Sequence, residues 1–133
     1  GGQVDFLCDQ TTNTSSQIEG GKVKAYAVTT LKPLTTPSLA KLPTLDASGL
    51  KGFNVTIWHA LYAPKGTPKA ALDKVNAALR NALKDPEFIK RQEALGAVVI
   101  TDARVNPADH KKFVEAEINK FGPVIKAAGQ YAD

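Results

Sequence analysis

Residues 52–68 read GFNVTIWHALYAPKGTP, and the reading of the whole chain turns on this stretch. Val55, Ile57 and Leu61 are apolar and Thr56 is β-branched, the composition of a strand. Pro64, Gly66 and Pro68 end that run. Thr67 has the chemistry of an N-cap, and Pro68 stands where a first helical residue belongs, because its missing N–H costs nothing there. Ahead of this strand, short apolar runs alternate with long polar connections. Beyond it the pattern is helical. The strand is therefore read as crossing between two structural units, with each half of the chain in a different one.

Working back toward the start, residues 4–8 (VDFLC) read as a short strand, with Val4, Phe6 and Cys8 on one face. A polar run follows from Asp9 to Gln17. Thr12 and Thr14 are the expected N-caps of a short helix through Ile18 and Glu19, which Gly20 and Gly21 should stop. Residues 23–28 (VKAYAV) read as a second strand. Strand, helix, strand favours a parallel pair with a right-handed crossover. Residues 29–52 hold Pro33, Pro37 and Pro43 and read as a long, turn-rich connection. Within it, Thr44 is expected to cap one turn, LDAS, that ends at Gly49.

Working forward, Leu72, Val75, Leu79 and Leu83 fall on one helical stripe. Burying each should contribute roughly 1.5–3 kcal/mol, so this face needs a partner surface. Asp85 and Pro86 restart a helix, with Asp85 as cap, that runs to Leu95 and stops at Gly96. Residues 97–100 (AVVI) read as a further strand. Asn106 and Pro107 open the last helix. Its stripe is Val114, Ile118, Phe121, Ile125 and Ala128, Gly129 ends it, and Pro123 should kink it. The predicted fold class is α/β.

The 133 residues are 43% hydrophobic and 23% charged, the make-up of a globular chain and not of a disordered one. No apolar run approaches the ~20 residues of a membrane span. The net charge of +4 comes from scattered lysines and only three arginines, Arg80, Arg91 and Arg104. Nucleic-acid recognition clusters charge and interleaves aromatics, so no nucleic-acid partner is expected. Cys8 is the only cysteine and no Cys/His spacing suits a metal, so neither metal nor cofactor is expected. The chain opens without a basic n-region and apolar h-region and contains no Met. It reads as a processed start or as a piece of something longer.

The candidate ligand-binding residues are Asp9, Thr11, Thr12 and Asn13. In α/β sheets ligands bind beyond the carboxyl ends of strands, at helix N-termini, and this segment is such an end. Its hydroxyl, amide and backbone N–H groups suit a carboxylate or phosphate. The competing reading is plain helix capping. Asp9 would repel an anion. It therefore meets an ammonium or hydroxyl on the ligand, orders water, or shapes the loop by accepting backbone N–H bonds. Trp58 and His59 lie on the crossing strand, and His59 is either a general base or a satisfied, part-buried histidine. Cys8 with His59 as base makes a nucleophile candidate, against the reading of an inert strand cysteine. No G-x-S-x-G, Gly-rich phosphate loop or paired carboxylates occur, so no enzyme is expected.

Taken in order, GGQVDFLCD, EGGKVKAYAVTT, LAKLPTLDASGLKGF, WHALYAPKGTP, LKDPEF and the late LGA resemble the C-terminal half of the solute-binding receptors of tripartite tricarboxylate transporters, the Bug family. CDQTTNT, residues 8–14, resembles a subgroup that includes an aspartate-binding receptor. The resemblance implies part of a two-lobe, type II-like periplasmic-binding-protein fold that closes on its ligand by hinge motion. On that analogy residues 1–57 are a parallel-sheet portion of the second lobe lining the cleft. Residues 58–133 are the return strand and helices of the first lobe, with Trp58 and His59 at the hinge and cleft edge. The implied function is periplasmic capture of a small carboxylate or acidic amino acid and delivery to membrane permease subunits, without covalent chemistry. Family members are much longer, so the helix stripes are expected to lack the sheet they normally cover. Either a fragment or an association over those faces, such as a swapped homodimer, follows. The alternative from another class is a ligand-free interaction or dimerisation module derived from the same fold. A small hydrolase using Cys8 or His59 is the third reading.

Overall fold

The structure is a computed structural model that describes residues 2–129. Its α-helices are α1 (Thr11–Glu19), α2 (Lys69–Ala82), α3 (Pro86–Ala94) and α4 (Pro107–Ala128), with a 3-10 turn at Ala103–Val105. All four helices fall where period and punctuation predict them.

The predicted strands do not form. Among the described residues the β pairing is a single parallel bridge, Val28 with Thr44. Val28 N–H donates to the Pro43 carbonyl at 2.9 Å, and Leu45 N–H donates to the Val28 carbonyl at 3.0 Å. Next in sequence, Val55 N–H donates to the Thr29 carbonyl at 3.1 Å, and Thr29 Oγ1 donates to the Val55 carbonyl at 2.7 Å. Three segments thus meet at Val28 and Thr29, one or two residues deep, and the parallel bridge joins residue 28 to the predicted loop at Thr44 and not to the predicted partner strand 4–8. Residues 4–8, most of 23–28, the run around Ile57 and residues 97–100 carry no ladder. Composition makes a segment suitable for a sheet, but a strand exists only where a neighbour donates and accepts along its length.

The chain divides into two compact units. The first combines residues up to Tyr62 with Pro86–Val99, and the second combines Ala63–Asp85 with Ile100 onward. The chain therefore passes between them three times, and α3 joins the unit built mainly from the first half.

In the first unit the buried apolar side chains are Leu39, 1% exposed, and Val28. Ser15, Thr36 and Thr44 are buried polar residues. Thr44 caps its turn as predicted. Its Oγ1 accepts from Ala47 N–H at 3.0 Å, its carbonyl accepts from Ser48 N–H at 3.0 Å, and Gly49 follows at φ 113°. Thr12 and Thr14 do not cap α1. The helix starts two residues earlier than a Thr12 cap would set it, so Gln10 is the N-cap, without a side-chain cap bond. Thr14 then lies four residues beyond Gln10, and its hydroxyl back-bonds to the Gln10 carbonyl at 3.1 Å.

In the second unit Pro68 takes the N-cap position of α2. Thr67 is not the cap, because its hydroxyl turns back to the Pro64 carbonyl at 2.8 Å. Asn76 Nδ2 donates to the Val105 carbonyl at 2.8 Å, which fastens α2 to the 3-10 turn. Arg104 lies over the Phe113 ring of α4, 5.5 Å from its centroid. Asn106 and Pro107 start α4 and left-handed Gly129 ends it, as predicted, and the helix runs on through Pro123. The predicted stripes share their helix faces but are not buried. Val75 is 52% exposed, Ile118 63% and Ile125 51%. Period decides which side chains share a face, not what covers it.

Asp102 gives this unit a pH signature. Its carboxylate accepts from Arg104 Nε at 2.9 Å and 3.1 Å and from Arg104 N–H at 2.9 Å. The guanidinium, and then the backbone N–H, hold its carboxyl down to about 2, against an ordinary value of 3.8. A depressed folded pKa contributes stability above the ordinary value that is lost as pH falls through the folded one. The Asp102 carboxyl carbon should therefore titrate near pH 2 by NMR. Replacing Arg104 by Ala removes the guanidinium but keeps the backbone N–H, so it should raise the midpoint toward the ordinary range, and an unchanged midpoint would refute the assignment.

Candidate functional site

The predicted ligand residues gather at the start of α1, in the first unit. Gln10 enters the helix in an extended conformation, φ −80° and ψ 146°. Its carbonyl accepts from Asn13 N–H at 3.1 Å and from Thr14 N–H at 3.3 Å. The amides of Thr11 and Thr12, ahead of these, have no intrahelical acceptor, as in any first turn.

Asp9 and Asn13 are brought together. Asp9 Oδ1 accepts from Gln10 N–H at 2.8 Å and from Asn13 Nδ2 at 3.5 Å. Asp9 thus shapes the turn locally, one of the roles its position allowed, while it remains exposed. Thr12 is half-buried.

Thr11 is drawn elsewhere. Its Oγ1 donates to the Gly96 carbonyl at 2.9 Å, across 85 residues of sequence. Buried Ser15, one turn on, donates from Oγ to the Thr11 carbonyl at 2.8 Å and lies 3.4 Å from the Leu95 carbonyl. Gly96 has φ 77°, the left-handed region that favours glycine. A Cβ on Gly96 would stand 2.8 Å from Thr11 Cβ and 3.0 Å from Ser15 Oγ. Sequence reading took Gly96 only as a helix stop and passed over Ser15. The signals available were the glycine after α3 and a serine on the α1 face that also carries Thr11.

Trp58 is half-buried and His59 exposed. Both lie in the first unit, shortly before the chain leaves it after Tyr62. Cys8 is an exposed free thiol and does not lie in a strand. Among the described residues no group of three or more His, Cys, Asp or Glu could hold a metal. The α1 start offers N–H donors and a helix dipole, which attract an anion by about 0.3–1 kcal/mol. Asp9 offers an acceptor for a cationic or hydroxyl group beside them.

This chain carries part of a periplasmic-binding-protein fold. It matches the solved structure of the periplasmic binding protein BugD with a TM-score of 0.84 and 50% identity, over 96% of this chain and 42% of that one. It matches MatC from Rhodopseudomonas palustris, solved with bound malate, with a TM-score of 0.83 and 36% identity, over 93% of this chain and 42% of that one. In sequence it is 44% identical over 130 residues to an Agrobacterium vitis protein described as the UPF0065 protein in the TAR-I ttuE-ttuC' intergenic region. That alignment takes in 98% of this chain and 37% of the relative, so the chain spans well under half the length of these three proteins. The family model of the tripartite tricarboxylate transporter family receptor matches residues 1–130, and the chain belongs to that family. It is a family of solute-binding receptors, not of enzymes.

Proposed function

We propose that this chain forms one wall of the ligand cleft of a periplasmic receptor, and that the receptor captures a small carboxylate or acidic amino acid for the permease subunits of a tripartite transporter. The observation that carries the reading is the α1 start. The Thr11 and Thr12 amides and the Thr12 hydroxyl suit a carboxylate, and exposed Asp9, tied to Asn13, suits an ammonium or hydroxyl on the same ligand. The malate bound to the MatC relative supports a small dicarboxylate. The CDQTTNT segment supports the acidic amino acid. Residues 1–57 then serve as the second-lobe portion and residues 58–133 as the return to the first lobe, a division that residues 58–62 and 86–99 cross by clustering with the first unit. Trp58 and His59 mark the hinge edge, a reading supported by the nearby passage between units after Tyr62.

The test is titration calorimetry at millimolar concentrations with malate, succinate and aspartate. Half the contacts of a full cleft, worth ~4 kcal/mol, separate a micromolar site from a millimolar one. Asp9→Asn should weaken aspartate about tenfold, equivalent to about 1.4 kcal/mol, and leave succinate unchanged. Absence of heat with every acid, by this chain at those concentrations, overturns the reading.

A second reading, an interaction or dimerisation module, is favoured by the open faces of α2 and α4 at Val75, Ile118 and Ile125. Light scattering decides it: a stable monomer of 14.1 kDa excludes association.

A further inference from the structure

We propose that the end of α3 aims the α1 amides, so that Thr11 and Ser15 are positioning residues through their hydroxyls. The proposal rests on the cleft-wall reading and adds what holds that wall in place.

The last carbonyls of a helix have no intrahelical donor and must find partners elsewhere. At and just past the end of α3, the carbonyls of Glu93, Leu95 and Gly96 face hydroxyls from the first half of the chain, and that of Glu93 also accepts from Gly96 N–H at 2.9 Å. Thr36 Oγ1 reaches the Glu93 carbonyl at 3.3 Å, Ser15 Oγ lies 3.4 Å from the Leu95 carbonyl, and Thr11 Oγ1 donates to the Gly96 carbonyl at 2.9 Å. Two of these hydroxyls belong to α1. Together they fix the first turn of α1 at two points one helical turn apart, and two points set a direction. Ser15 is 5% exposed and Thr36 8%, so their hydroxyls are sheltered from competing water, while Thr11 is half-buried. Gly96 completes the clasp, because any Cβ there would occupy the space that Thr11 and Ser15 fill. The Thr11 hydroxyl proton is thereby used in fastening, and the Thr11 amide is the group left for a ligand.

Three variants test this, read by melting temperature, by amide hydrogen exchange in the ligand-free chain and by NMR titration with malate and aspartate. Thr11→Val keeps the branched shape and removes the hydroxyl. Thr11→Ser keeps the hydroxyl. Thr36→Ala removes a bond to the same helix end without touching α1. The expected result is faster exchange at the Asn13 and Thr14 amides in Thr11→Val, with affinity weakened on the order of tenfold, as for groups that orient binding residues elsewhere. Thr11→Ser should restore both, and Thr36→Ala should lower the melting temperature while changing neither. Unchanged exchange in Thr11→Val, or the same two changes in Thr36→Ala, overturns the proposal. If the unaltered chain binds neither acid, the cleft-wall reading fails, and the exchange comparison alone still decides whether the clasp orients α1.

Discussion

Gly96→Ala is expected to destabilise the first unit by roughly 2–5 kcal/mol. Two costs add at this one position. A left-handed backbone costs a residue with a side chain ~1–2 kcal/mol. Forcing a methyl into filled space typically costs a further ~1–3 kcal/mol. Here the obstacle is Thr11 Cβ at 2.8 Å, an atom next to the backbone that cannot swing aside as the tip of a lysine would. Gly21→Ala supplies the comparison within the same unit. Gly21 has φ 68° and nothing within 4 Å of its would-be Cβ, so it bears the conformational cost alone. Urea unfolding of the two variants should differ by more than 1 kcal/mol. Equal midpoints would mean that α1 is not packed on Gly96.

Leu39→Ala should be comparably damaging, at about 2–5 kcal/mol. Leu39 is 1% exposed and is the largest fully buried side chain among the described residues. In sequence it lies between Thr36, which is tied to α3, and Thr44, which is bridged to Val28, and the Leu39 N–H donates to the Thr36 carbonyl at 2.9 Å. Removing it opens a cavity in a unit whose other buried apolar residue is Val28. Ile57→Ala serves as the contrast: Ile57 is 65% exposed, and such positions usually change stability by less than about 0.5 kcal/mol. If both variants unfold at the same urea concentration, Leu39 does not anchor the unit.

The helices were legible because their signals are local. Pro86, Asn106 with Pro107, Gly96 and Gly129 act through backbone chemistry within a turn, and the structure uses each of them. The choice between neighbouring hydroxyls was less legible. Thr12, Thr14 and Thr67 all have cap chemistry, but closure of the first turn decides which residue is the N-cap, and it selected Gln10 and Pro68. The strands were misread for a different reason. Val4, Val23 and Ile57 have the right composition, but pairing depends on a neighbour supplied by the fold, and among the described residues it is confined to the junction of Val28 and Thr29 with residues 43–45 and Val55. At the candidate site, the Asp9 turn was readable because it spans a few residues. The Thr11–Gly96 bond was not, because nothing near Thr11 in sequence signals a partner 85 residues away.

The divided first unit also sets an order of events during synthesis. A ribosome extends a chain at roughly 5–20 residues per second, so residues 63–99 emerge about 2–7 seconds after Tyr62. Throughout that delay the hydroxyls of Thr11 and Thr36 stay hydrated, because the carbonyls they will meet have not yet been translated, while Ser15 already has the Thr11 carbonyl within its own helix.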